Sequence, residues 1–166
     1  MNGHYIHLLS NHFPIILLLT GFFVLTYGLF KHIKTIKQVG LMILLASSIS
    51  TIPAYISGED AEHAVEHLAG TSESSLEEHE EGAEFAFIFS DIVGVLALIT
   101  LLLNSRDHKL SLWANRITWA LSLFTISVMV RVGQTGGQIR RPELRNSSIT
   151  DTTQFINEKE SEKDDD

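Results

Sequence analysis

The chain contains no cysteine, which excludes disulfides, thiolate metal ligands and covalently attached haem. It is also short of charge over long stretches. The first thirty residues carry no Lys, Arg, Asp or Glu, and neither do Gln38–Gly58. Phe85–Leu103 carry only Asp91, and Leu112–Val132 only Arg116 and Arg131. A hydrocarbon core about 30 Å thick is crossed by roughly 17–25 apolar residues of helix. Four runs reach that length, near 13–30, 39–56, 85–103 and 112–132. A soluble four-helix bundle needs a polar stripe on every helix, and FPIILLLTGFFVLTYGLF has only isolated hydroxyls. No basic flank precedes the first run and it exceeds a usual signal core, so a cleaved signal peptide is not expected. No basic stripe exists either, which argues against a nucleic-acid partner.

What the chain does have is one strongly acidic stretch. Gly58–Glu84 holds ten carboxylates and three histidines with no Lys or Arg. So much charge does not cross a lipid core, and the stretch divides the chain into two hydrophobic hairpins. The sequence therefore predicts an all-α protein: an integral membrane four-helix antiparallel bundle with an acidic extracytoplasmic helical loop between helices 2 and 3. Residues 1–145 form the transmembrane domain, and 146–166 read as a disordered acidic tail. Asn11 is a candidate N-cap for helix 1, with Pro14 in its first turn. Ala46, Ser47, Ser48 and Ser50 on helix 2 are small enough for close helix packing, and Pro53 is expected to kink that helix. EDAEHAVEHLAG reads as a separate short helix ending at Gly70.

Orientation follows from the two short links. Lys31, Lys34 and Lys37 lie in one, and Arg106, Lys109 and Arg116 in the other. The positive-inside rule places both in the cytoplasm, with the N-terminus, the acidic loop and the C-terminus extracytoplasmic. Six histidines (4, 7, 12, 63, 67 and 79) then share the outer side. They are either incidental members of a solvated loop or ligands. A transition metal suits imidazole with carboxylate, and His63, His67, Glu66, His79 and Glu80 are the candidate ligands. A b-type haem needs axial histidines on facing helices, for which His12 and His79 are the candidates. His63–His67 also spells the H-x-x-E-H zinc-protease pattern, which arises easily in so His- and Glu-rich a stretch. Inside the outer leaflet, Asp91 and Arg131 are expected to form an ion pair, because a charge at membrane depth needs a partner.

Four fragments carry a family resemblance: His12-Phe13-Pro14, Gly58-Glu59-Asp60-Ala61-Glu62 with Val65-Glu66, His79-Glu80, and Thr135-Gly136-Gly137. Their order and spacing over about residues 7–139 resemble the bacterial family of small four-helix inner-membrane proteins classed as a domain of unknown function, DUF2231. The resemblance implies a fold and a bacterial inner-membrane location without an established activity, with T-G-G as a turn closing helix 4. It departs at Gln138-Ile139-Arg140-Arg141, where relatives continue with a glycine or histidine segment. All four fragments fall at the outer face. The expected function is that of a structural or accessory subunit with a His/Glu-rich site or docking surface there, facing a membrane-protein or periplasmic partner. The alternative is a metal- or b-haem-binding protein linked to electron transfer or metal handling. In order, the cofactor expectation is none, a divalent transition metal, then haem b.

Overall fold

A computed structural model of the chain describes the backbone of residues 11–65 and 73–140, and side chains over 11–58 and 76–137. Among the described residues there are four α-helices: α1 (His12–Phe30), α2 (Lys34–Val65), α3 (Glu73–Ser105) and α4 (Ser111–Arg140). All four contain a segment long and apolar enough to cross a membrane. At about 1.5 Å per residue α1 is roughly 28 Å long, close to one hydrocarbon thickness. The other three exceed it and project beyond it.

The projection corrects two readings. The expected separate helix after Gly58 is, as far as Val65, the continuation of α2. Thr135-Gly136-Gly137 is a stretch of α4 and not a turn. Glycine tolerates helical angles at a cost of about 1 kcal/mol relative to alanine, so a glycine ends a helix only where neighbouring contacts favour stopping. Asn11 does hold the N-cap position of α1, but its backbone is helical and its side chain makes no capping bond. Pro53 lies inside α2.

Both short turns use one device. His32 and Asp107 have φ of 56° and 49°, the left-handed conformation that closes a helix. Ile33 N–H donates to Gly28 O at 3.0 Å and His32 N–H to Leu29 O at 3.3 Å. His108 and Asp107 repeat the pattern onto Leu103 and Asn104. Lys34 Nζ, 2.6 Å from Asp107 Oδ1, ties the two turns together.

The helices close a ring, α1 on α2, α2 on α3, α3 on α4 and α4 on α1. Glycines bring α1 and α2 close: a Cβ on Gly40 would lie 2.6 Å from Leu25 N, and one on Gly28 2.6 Å from Lys37 N. Leu18, Leu25, Leu41, Leu44, Val93 and Ala97 fill the centre. Beside them the interior is polar, with Ser47, Ser90, Thr100, Asn115, Thr118, Ser122 and Thr125 all buried. Large apolar side chains such as Ile16, Phe23, Phe30, Val95 and Leu102 face outward. Water would drive such a surface inward, whereas lipid accepts it and leaves hydrogen bonds to hold the helices. Most of the buried hydroxyls comply, Ser90 Oγ being the exception without a hydrogen-bond partner among the described residues. Thr118 and Thr125 donate to Ala114 O and Leu121 O on their own helix, and Ser47 crosses to Pro14 O at 2.8 Å. The small-residue segment of α2 thus fulfils its expected packing role, with Ser48 against Gly94.

Between α3 and α4 two polar rungs cross the core. Asn104 and Asn115 exchange amide hydrogen bonds of 3.3 and 2.8 Å. One turn further along, the Thr100 and Thr118 hydroxyls lie 3.0 Å apart. On the remaining side Trp119 Nε1 donates to Thr26 at 2.8 Å and its ring stacks on Phe22.

Candidate functional site at the acidic end of the bundle

At the end of the bundle away from the Lys34–Asp107 contact, the first turns of α3 meet the last turns of α4. His79 Nδ1 lies 3.1 Å from Thr135 Oγ1, and Thr135 Oγ1 donates to Val132 O at 3.0 Å. The ring lies over Gly136, where a Cβ would approach His79 Cε1 to 2.9 Å. Gly82 faces Val132 in the same way, one turn along α3. Fragments 56 residues apart in sequence therefore form one contact, in which the glycine supplies room and the threonine supplies the hydrogen-bonding group.

A small cleft of ≈ 40 Å³ adjoins this contact, lined by Glu78, Gly82, Val128, Arg131, Val132 and Thr135. Arg131 Nη2 is 3.6 Å from Glu78 Oε1, and both side chains are largely exposed. Such a pair contributes little to stability but leaves both signs of charge at the rim of the cleft. Glu80 is exposed nearby.

The other expected site residues are distributed as follows. His12 is exposed at the first position of α1. Its helix packs on α2 and α4, and His79 reaches Thr135 on α4. Pro14 is buried, with its carbonyl accepting from Ser47. Gly58 is part of α2 and Gly137 is open to solvent. The side chain of His63, and Glu66 and His67 entirely, lie outside the described residues. Among the described residues no three His, Asp or Glu side chains gather as a metal cluster.

Asp91 and Arg131 have different partners from those expected. Ser48 Oγ donates to Asp91 Oδ1 at 3.0 Å, and Arg131 faces Glu78. The reason is register. Gly82 lies at the level of Val132 and Thr100 at the level of Thr118, so Asp91 stands at about the level of Thr125. Arg131 is about six residues, roughly 9 Å, nearer the end of the bundle. The Ser48–Asp91 bond and the Asn104–Asn115 pair were not foreseen. A polar side chain inside an apolar span signals a partner on a neighbouring helix, but the signal does not name which one.

Four membrane-length helices, an outward apolar surface and a hydroxyl-lined interior define a multi-pass membrane protein. The family model described as "Predicted membrane protein (DUF2231)" matches residues 3–141, and the chain belongs to that family. Neither the comparison with curated proteins nor that with solved structures returned a match.

Proposed function

We propose that this chain is an accessory subunit of the bacterial inner membrane whose extracytoplasmic end is a docking surface for a membrane or periplasmic protein. The four helices alternate in direction, with both termini and the α2–α3 connection outside. The contact ladder supports this: Gly21 meets Leu44 and Gly28 meets Lys37, while Thr100 meets Thr118 and His79 meets Thr135. The basic residues Lys31, Lys34, Lys37, Arg106 and Lys109 cluster at the two turns joined by Lys34–Asp107, which favours a cytoplasmic position for that end.

The observation that carries the docking reading is the His79–Thr135–Gly136 contact. Packing alone does not require a polar His–Thr pair at the rim of a bundle, beside the exposed, oppositely charged Glu78 and Arg131. Specific recognition uses such polar groups on a rigid element to set register. Gly137 beside them has nothing within 4 Å of where a Cβ would lie, so it leaves the surface open. A photo-crosslinking residue at position 137, compared with one at Leu110 on the opposite end, tests the reading in living cells. The expected result is a discrete adduct from 137 that Gly136→Ala abolishes. The same adduct from both positions, or none from 137, overturns it.

A further inference from the structure

At the Lys34–Asp107 end, two cations flank the seam between α1 and α4, each held against an exposed aromatic ring. Trp119 on α4 reaches Thr26 and Phe22 on α1. Residues three or four apart share a helix face, so one turn from that contact toward the end of the bundle lie Phe30 on α1 and Arg116 on α4. The Arg116 guanidinium carbon stands 5.6 Å from the centre of the Trp113 ring, and Lys31 Nζ stands 5.8 Å from that of Phe30. Both rings are exposed. Because α1 is about one hydrocarbon thickness long, its last residue Phe30 and the neighbouring Arg116 stand where lipid phosphates begin. Among the described residues neither Lys31 nor Arg116 meets a carboxylate, whereas Lys34 is taken by Asp107 and Arg131 by Glu78. Asp107 is the one carboxylate described at this end, against Lys31, Lys34, Lys37, Arg106, Lys109 and Arg116.

We propose that the α1–α4 seam at this end seats the headgroup of an anionic phospholipid, its phosphate held between Arg116 and Lys31. A guanidinium presents a planar fork of N–H donors that fits two phosphate oxygens at once, and the indole beside it restrains the fork. Lys31 adds a point charge from the neighbouring helix. Toward the middle of the bundle the exposed surface continues as Ile117, Ala120 and Phe124 on α4, and as Tyr27 and Phe23 on α1. An apolar surface running on from the phosphate position suits acyl chains and does nothing for a soluble anion. The surplus of cations around the two turns concentrates anionic lipid here. The proposal rests on the membrane setting of the bundle; neither the docking reading nor the orientation of the termini enters it.

The test uses the full-length protein in phosphatidylcholine nanodiscs doped with chain-brominated phosphatidylglycerol or, in parallel, with phosphatidylcholine brominated in the same chains. Bromine quenches a tryptophan that it touches, and the chain has two, Trp113 and Trp119. The Trp113 signal is identified by its loss in Trp113→Phe. Non-selective contact is equal for the two lipids, so excess quenching by phosphatidylglycerol reports selection by the headgroup. Each basic residue at a membrane surface contributes about fivefold in affinity for anionic lipid. Two of them give an expected preference of about twentyfold. Arg116→Gln and Lys31→Gln should each remove about fivefold, and Lys109→Gln much less. Equal quenching by the two lipids overturns the proposal. So does an equal loss in Arg116→Gln and Lys109→Gln, which marks a diffuse field in place of a seat. Displacement of the brominated phosphatidylglycerol by inorganic phosphate would show a site for a free anion and overturn the lipid assignment. Should Arg116→Gln not fold, Lys31→Gln carries the comparison. A missing crosslink at position 137 would remove the docking reading and leave this one standing.

Discussion

Gly40→Ala probes the closest approach in the bundle. A Cβ at Gly40 would sit 2.6 Å from Leu25 N, 2.8 Å from Leu25 Cα and 2.9 Å from Leu25 Cβ. Comfortable contacts between carbon atoms lie at about 3.5–4.0 Å, so α1 and α2 must separate locally by roughly 1 Å. Backbone atoms cannot rotate aside, and the fully buried Leu25, Leu41 and Leu44 next to the contact lose dispersion with the gap. Overpacking of this kind costs about 1–3 kcal/mol, offset by about 1 kcal/mol from replacing a helical glycine with alanine. Gly133→Ala is the internal control, because a Cβ there meets nothing within 4 Å and only the favourable effect remains. The two variants should differ by about 2 kcal/mol, which for a chain of this size is roughly 4–8 °C in midpoint. Thermal unfolding followed by circular dichroism in one detergent measures the difference. Gly40→Ala melting at or above Gly133→Ala would refute the close-packing argument.

Three further outcomes follow from other contacts. Asn115→Ala orphans the Asn104 amide and should cost about 1–2 kcal/mol; adding Asn104→Ala should cost less than a second such step, as a double-mutant cycle would reveal. His32→Gly should raise the unfolding midpoint, because it removes a left-handed strain of about 1–2 kcal/mol while keeping the turn's hydrogen bonds. Asp91→Asn retains an oxygen that accepts from Ser48 and should be far milder than Asp91→Leu. Combined with Arg131→Gln it should be additive in thermal stability, since the two side chains have separate partners; strong coupling would restore the ion pair.

The helical spans were legible because charge is excluded from hydrocarbon whatever the tertiary structure, so Gln38–Gly58 or Phe85–Leu103 declared themselves by composition alone. What composition does not encode is where a helix stops once it has left the lipid. α2 runs through Gly58 because nothing there favours ending it, and Thr135-Gly136-Gly137 stays helical because the glycine's lack of volume, and not its freedom, is what His79 uses. The meeting of His79 with Thr135 was visible only as a shared end of the bundle. Its atomic pairing depends on the rotation of α3 against α4, which many small contacts set together. Asp91 illustrates the same limit: the need for a partner was readable, but the six-residue offset that gives it Ser48 in place of Arg131 was not.

The central claim is that the His79–Thr135 end faces the outside of the cell and the Lys34–Asp107 end faces the cytoplasm. With no native cysteine, single cysteines can be placed without a background to remove. Gly137→Cys and Lys109→Cys both fall on exposed positions at opposite ends. Treating intact cells with a membrane-impermeant maleimide should label the cysteine at 137 and spare the one at 109 until the membrane is permeabilised. Labelling at 109 in intact cells, with protection at 137, would contradict the account.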